Sequence, residues 1–236
     1  MKVLAIDTTT AACSAAVYED GDVTGYRSEI IGRGHAELLM PMIETVMAEA
    51  GTGFDTMDGF AVTRGPGSFT GVRVGLATAR GLALASARPL FGMTTLAALA
   101  ASVPPREVGD QIVVAAIDAR RDQVYVEPFT SQGRSLLPAV ALSANAVPAW
   151  LASGLGSGRL EQGLVLVGTG ASEVGLAMAD ARLSFGLTSG APYPDAAVVA
   201  RCAAAEFERG VSSEPVTPCY LRGSGAGPTS APSAGA

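Results

Sequence analysis

The sequence contains a single histidine, His35, and only three cysteines in 236 residues. Zinc sites built on paired histidines, such as HExxH, require a second histidine, so a metalloprotease of that kind is excluded. Cys13, Cys202 and Cys219 are too few and too scattered for a disulfide framework or a CxxC metal knuckle, and we interpret them as buried apolar thiols. We therefore expect neither a metal ion nor a cofactor.

Basic runs and long apolar runs are also absent. No more than two Lys or Arg residues are adjacent and the net charge is −6, so the chain lacks the basic stripe that displaces counterions from a phosphate backbone. No segment approaches the ~20 uninterrupted apolar residues of a membrane span. The opening residues, MKVLAIDTTT, do not resemble a signal or transit peptide. We predict a cytoplasmic protein that neither enters a membrane nor binds nucleic acid tightly by itself.

What the sequence does contain is enough apolar side chain, 48% of residues, to build a packed globular core. In the first half, short apolar runs and three- to four-residue spacings indicate strands and amphipathic helices. We predict strands over 3–6, 14–18, 23–30, 59–63 and 90–92, and helices over 35–50, from the cap Ser68 to about 87, and over 95–102. Pro104 and Pro105 close this unit.

The second half begins in the same way as the first, with a strand, a tight turn and a second strand. We predict strands over 112–118, 123–129 and 164–167 and helices over 143–152 and 195–209. This repetition suggests the duplicated α/β architecture of actin-like and sugar-kinase ATPases, with two βββαβα-type subdomains at 1–105 and 106–222. The low-complexity tail 223–236, GSGAGPTSAPSAGA, is expected to be disordered.

In an active protein of that architecture, glycine-containing loops let backbone N–H groups approach phosphates while an Asp acts on a metal ion or water. The two corresponding loops here, 7–10 and 118–122, keep the acid but contain no glycine. The segment VGTGA at 167–171 is the only glycine-rich candidate for an adenosine loop. We predict a degenerate, vestigial nucleotide cleft formed by Asp7, Thr8, Asp118, Arg120, Gly168 and Gly170.

Two helices carry patterns that exceed the needs of a simple amphipathic helix. Gly71, Gly75 and Ala79 recur every four residues, and each glycine inside a helix costs up to ~1 kcal/mol relative to Ala, so the ridge needs a packing reason. The ridge packs either against the protein's own sheet or against a partner, and a helix with two faces allows both. The predicted partner-binding residues are Leu38, Leu39, Met42, Ile43, Met47, Gly71, Arg73, Gly75 and Ala79.

The segment GPGSFTGVRVGLATARGLALA at 65–85 is the most distinctive part of the chain. Together with LAIDTTT, HAELLMPMIE, DARRDQVY and PCYLR, it closely resembles the TsaB (YeaZ) family over nearly the whole chain to Arg222. The resemblance implies an actin-like fold that partners a homologous catalytic subunit, TsaD, which transfers a threonylcarbamoyl group to adenosine 37 of tRNA. TsaE, a P-loop ATPase, belongs to the same pathway.

The resemblance also implies that this chain is the non-catalytic member of the pair, because paralogues with TsaD activity carry a paired-histidine metal motif that has no counterpart here. Without its partner, the chain is expected to self-associate as a homodimer through the same helical face. One alternative is an autonomous ATPase or small-molecule kinase that uses Asp7 and Asp118. Another is a protease, which the single histidine disfavours.

Overall fold

A computed structural model describes residues 1–210 and 215–222 of the protein, and the predicted tail 223–236 lies outside the described residues. The first half contains strands and helices that follow the predicted order closely. They are β1 (Lys2–Asp7), β2 (Ala12–Glu19), β3 (Asp22–Ile30), α1 (His35–Glu49), β4 (Gly59–Thr63), α2 (Phe69–Ala85), β5 (Leu90–Met93), α3 (Thr95–Ser102) and the short α4 (Pro105–Val108). A 3-10 turn at Phe54–Thr56 joins α1 to β4.

The second half repeats this order with shorter elements. They are β6 (Ile112–Asp118), β7 (Val124–Phe129), β8 (Val140–Leu142), a 3-10 turn (Ala144–Ala146), α5 (Val147–Leu155), α6 (Ser157–Leu160), β9 (Leu164–Val167), α7 (Ala171–Asp180), β10 (Phe185–Leu187) and α8 (Ala196–Glu208). Sequence patterns missed β8, α7 and β10. Two of these are three-residue strands, which are too short to display an alternation of apolar and polar positions.

The two sheets have equivalent strand orders, β3-β2-β1-β4-β5 and β8-β7-β6-β9-β10. In each sheet the central strand pairs antiparallel with the strand that follows it and parallel with the fourth strand of its half. Each half therefore begins with a hairpin whose turn lies at the carboxyl end of the central strand. These two turns, residues 7–10 and 118–122, are the loops predicted to face a nucleotide.

Helices cover the first sheet on both faces. α1 and α2 pack on one face, where Ile6, Val62 and Ile43 belong to a shared core. α8 packs on the opposite face, where Ala200 and Val3 share a second core. The prediction placed 195–209 in the second subdomain, and this part needs correction because the apolar face of α8 is complementary to β1, β2 and β4 of the first sheet.

The second sheet is covered by α5 and α7 on its outer face and by α3 of the first half on its inner face. Leu96 and Leu99 of α3 pack with Val113 and Val165 of the second sheet. The two halves are therefore joined by a continuous apolar core around α3. In the part of the chain that the structure describes, no helix is both long and apolar enough to cross a membrane.

Candidate functional site

The loop after β1, residues 7–10, is completely enclosed. Asp7, Thr8 and Thr9 are each at most 1% exposed. The Asp7 carboxylate accepts hydrogen bonds at Oδ1 from the backbone N–H of Thr9 at 3.2 Å, from the Thr9 hydroxyl at 2.6 Å and from the Thr63 hydroxyl. Its Oδ2 atom has no hydrogen-bond partner among the residues that the structure describes. Burial raises the pKa of Asp7 to about 6, although the hydrogen bonds from Thr63 and Thr9 oppose this shift.

The small-residue ridge of α2 covers this loop, so the ridge packs inside the chain. A Cβ added to Gly71 would lie 1.9 Å from the carbonyl oxygen of Thr8, and one added to Gly75 would lie 2.5 Å from the Thr8 Oγ1 atom. The Thr8 hydroxyl donates to the Gly71 carbonyl oxygen at 2.7 Å. The sequence left open whether the ridge packs inside the protein or against a partner. The structure shows that it packs inside, against the loop after β1. The prediction that Gly71, Gly75 and Ala79 face a partner is corrected.

The apolar stripe on α1 is also buried within the chain. Leu39, Met42, Ile43 and Met47 are at most 4% exposed and belong to the first core, and the half-buried Leu38 packs against it. Their assignment to a partner surface is corrected because β2, β3 and α2 cover this face of α1.

The exposed side chains of α1 and α2 lie on the faces that point away from the core. In α1 the Met40 side chain is 37% exposed, and in α2 the Phe69 and Leu84 side chains are 44% and 84% exposed. Arg73, the only member of the predicted partner set that is fully at the surface, stacks its guanidinium 3.6 Å from the centroid of the Phe69 ring. Sequence periodicity identified both helices and the apolar stripe of α1. It does not distinguish a stripe that packs on the protein's own sheet from one that binds a partner.

The loop after β6, residues 118–122, differs in conformation from the first loop. Arg120, Arg121 and Asp122 all have positive φ, between 56° and 61°, a region in which each non-glycine residue is strained. Its first three backbone N–H groups donate to atoms of the same chain. That of Asp118 donates to the Thr169 hydroxyl at 3.0 Å, that of Ala119 to the Gln123 carbonyl at 2.8 Å and that of Arg120 to the Asp118 carboxylate at 2.7 Å.

The two glycines of the VGTGA segment support this second loop. A Cβ on Gly168 would lie 2.2 Å from the Ala116 carbonyl oxygen, and one on Gly170 would lie 3.2 Å from the Asp118 backbone nitrogen. Gly170 also donates its N–H to the Ala116 carbonyl at 3.0 Å. The structure thus brings Asp118, Gly168 and Gly170 together, as the sequence predicted. The two glycines, however, allow a close approach of the chain's own backbone. Their role in a nucleotide cleft stays a prediction.

The surroundings of the second loop do not present one sign of charge. An open hollow of about 510 Å³ is lined by Arg120, Arg121, Asp118, Asp122 and Glu173, among others. Arg120 lies 3.4 Å from the Asp118 carboxylate in an exposed ion pair. Because three carboxylates accompany two guanidinium groups, the hollow does not concentrate positive potential for a polyphosphate.

Metal chemistry has no obvious location in the described residues. Within residues 1–210 and 215–222, no group of three or more His, Cys, Asp or Glu side chains is placed to hold a metal ion. His35 begins α1 and its Nε2 atom lies 3.2 Å from the Ala12 carbonyl oxygen. This single histidine therefore has a structural contact with β2.

Comparison with known proteins connects this geometry to a family. The family model described as TsaD, tRNA N6-adenosine threonylcarbamoyltransferase, matches residues 22–161. The structure of YeaZ from Pseudomonas aeruginosa is similar with a TM-score of 0.75 and 33% sequence identity, over 93% of this chain and 99% of that chain. The chain belongs to the TsaB (YeaZ) family. The predicted family and the predicted duplicated α/β architecture are both confirmed.

Curated TsaB relatives match over shorter stretches. The tRNA threonylcarbamoyladenosine biosynthesis protein TsaB of Escherichia coli (strain K12) is 43% identical over 125 residues, 53% of this chain and 53% of that protein. The chain therefore spans about half the length of the curated TsaB proteins it matches. A tRNA N6-adenosine threonylcarbamoyltransferase of Novosphingobium aromaticivorans is 49% identical over 72 residues, 30% of this chain and 21% of that protein.

Proposed function

We propose that this TsaB-family chain is a non-catalytic subunit in the formation of N6-threonylcarbamoyladenosine on tRNA, where it binds and activates a TsaD-like transferase. The observation that carries the non-catalytic role is the closure of both loops. The first is buried beneath the glycines of α2. In the second, the backbone amides of Asp118, Ala119 and Arg120 donate to the chain's own atoms. Family membership supports the pathway.

The same observation disfavours an autonomous ATPase or kinase, the main alternative. Phosphate loops of such enzymes present free backbone N–H groups to the nucleotide. Here Asp7 and Asp118 remain, but Asp7 is held by Thr9 and Thr63 inside the core. Asp118 accepts a bond from the Arg120 amide and pairs with its side chain. Both carboxylates therefore have structural partners.

The outward faces of α1 and α2 are the proposed contact with the transferase. These faces expose Met40, Ala77 and Leu84, which offer apolar area on two neighbouring helices. α1 adds the exposed acids Glu37 and Glu44, whereas α2 adds the exposed bases Arg73 and Arg80. If the partner has a homologous pair of helices, and its second helix packs on α1 while its first packs on α2, acidic side chains lie opposite basic ones. This arrangement favours specific pairing.

Reconstitution tests this proposal directly. The TsaD-like subunit of the same organism would be supplied with tRNA, threonylcarbamoyl-adenylate and the TsaE-like ATPase, and the modified adenosine would be measured by mass spectrometry. We expect product only when this chain is added, and none from this chain alone. A TsaD-like subunit that works equally fast without the chain would contradict the proposal.

A matched pair of surface variants locates the interface. Met40→Glu places a charge on the proposed contact face, so it should abolish co-purification with the TsaD-like subunit and lower the rate of modification. Leu176→Glu, a similar change at a side chain that is 71% exposed on α7, is the control and should bind normally. If Leu176→Glu disrupts binding and Met40→Glu does not, the contact lies on the second half.

The same face supports two further parts of the proposal. In the absence of the transferase, exposed apolar side chains favour a weak homodimer, and light scattering should show that Met40→Glu shifts it to monomer. The complex is also proposed to recruit a TsaE-like ATPase. Gel filtration of the three proteins should then show TsaE retained by the pair and lost with the Met40→Glu chain.

A further inference from the structure

The last described segment of the chain, residues 215–222, is called the strap here because it runs over the first half and ends on the second. The Val216 side chain fills the space beside Gly92, where an added Cβ would lie 2.3 Å from its Cγ1 atom. The Arg80 guanidinium donates to the Val216 carbonyl oxygen. The Cys219 backbone N–H donates to the Arg64 carbonyl at 2.7 Å. These contacts attach the strap to β5, to α2 and to the residue that follows β4.

An aromatic contact adds to this attachment. The ring centroids of Tyr220 and Phe69 are 5.4 Å apart, a separation typical of favourable aromatic pairs. The Arg73 Nε atom donates to the Tyr220 hydroxyl at 3.3 Å. The strap is therefore held at several points of the first half before it reaches Arg222.

Arg222 connects the strap to the second half. Its guanidinium donates to the Ala119 carbonyl at 2.9 Å, to the Arg120 carbonyl at 3.3 Å and to the Gln123 side-chain oxygen. It also lies 5.5 Å from the centroid of the Tyr125 ring, within cation–π range. Arginine is suited to this position because its planar fork of donors reaches several acceptors at once.

The polarity of this contact is opposite to that of a phosphate loop. A phosphate loop offers N–H groups to an anion, whereas this loop offers two backbone carbonyls to a cation. The loop contains three consecutive left-handed residues, Arg120, Arg121 and Asp122. Such strained conformations persist only where surrounding contacts hold them.

We propose that Arg222 is an intramolecular ligand of the loop at residues 118–122 and holds it in a conformation that cannot bind a phosphate. Through this contact, called the clasp, the strap connects the two halves of the chain. This assignment does not depend on the identity of the partner protein. Arg222 is a positioning residue, because it acts by holding the loop. It implies that the loop and the strap stabilise one another.

Hydrogen exchange measured by mass spectrometry on the full chain tests the clasp. In Arg222→Ala, amides in both 118–125 and 215–222 should exchange about tenfold faster, since hydrogen bonds to charged groups contribute about 1.5–3 kcal/mol and 1.4 kcal/mol corresponds to tenfold. Arg222→Lys, which keeps the charge without the fork, should give an intermediate rate. Arg209→Ala, at the exposed residue that caps the carboxyl end of α8, is the control and should leave both peptides unchanged.

A variant on the other side of the contact makes the test reciprocal. Gln123→Ala removes an acceptor from the loop, and amide exchange in 215–222 should rise although the strap itself is unaltered. If Arg222→Ala speeds exchange only in 215–222 while the loop stays protected, Arg222 merely ends the strap and the clasp is refuted. Unchanged exchange in both peptides would refute it equally.

Discussion

The loops after β1 and β6 occupy equivalent places in two sheets of equivalent strand order, yet they are held in different ways. The first is buried, has no residue with positive φ and is covered by the glycines of α2. The second is largely exposed, left-handed over three residues and held by Thr169 and Arg222. The duplicated fold therefore fixes where the loops lie and leaves their chemistry free to differ.

The different surroundings also place the two acids under different conditions. Asp7 lies in the core with one unpartnered oxygen, and burial without full hydrogen bonding penalises its charge. Asp118 is half-exposed and has a neighbouring guanidinium. The first loop should therefore respond strongly to added volume and to pH, while changes at the second should have small effects on stability.

The largest effect is expected for Gly71→Ala. The added methyl group would meet the Thr8 backbone at 1.9 Å, so α2 has to move away from the loop at a cost of about 3 kcal/mol. The control is Gly81→Ala on the same helix, where nothing lies within 4 Å of the added Cβ, and where the change should stabilise by about 0.5–1 kcal/mol. Urea unfolding of the two variants gives both values.

Equal stability changes for the two glycine variants would show that the contact between α2 and the first loop is loose. Packing of α2 on the loop would then not prevent a phosphate from entering it. Normal binding of the TsaD-like subunit by the folded fraction of Gly71→Ala is expected, since Gly71 faces inward.

The next effect is the pH dependence caused by Asp7. Its pKa is raised from 3.8 to about 6, so between these pH values the folded chain binds a proton that the unfolded chain has lost. The stabilisation contributed by the protonated carboxyl group is fully present below about pH 4 and is lost as pH rises through about 6. The loss is up to about 3 kcal/mol. Asp7→Asn removes the titration, and the difference in unfolding free energy between wild type and variant should change across this pH range. A constant difference would contradict the burial of a strained carboxyl group.

Glycine substitutions in the two loops should have opposite signs. Arg121→Gly removes the side chain that makes the left-handed conformation at this position unfavourable. It should therefore stabilise the folded chain by about 0.5–1 kcal/mol. Thr10→Gly, at a buried position whose φ is not positive, should destabilise by about 1–2 kcal/mol because it adds backbone freedom to the unfolded chain and removes the hydroxyl that accepts from Ala12. Thermal unfolding of both variants checks the comparison, and effects of the same sign would break it.

The fold was largely predictable because its signals are local. The short apolar runs of β1 and β2, the spacing in α1 and the Ser68 cap of α2 each indicate one element without reference to the rest. The repetition of strand, turn and strand then indicated the duplication. The position of α8 on the first sheet was not predictable, because its apolar face carries no information about which sheet it covers.

The candidate site was only partly predictable for the same reason. The residues of both loops were found from the acids that end β1 and β6. The facing of Gly71 and Gly75 toward Thr8 is a tertiary contact, and no spacing distinguishes it from contact with a partner helix. Arg222 was noted only as part of a motif, since its bonds to residues 119–123 join positions about 100 residues apart.

Nucleotide binding by the isolated chain tests the central claim most directly, namely that neither loop can hold a phosphate. Isothermal titration with millimolar MgATP, with hydrolysis followed in parallel, should give no saturable heat and no turnover, in wild type and in Asp7→Ala alike. Saturable binding with one nucleotide per chain, or turnover near ~1 per second that is lost in Asp7→Ala, would contradict the account.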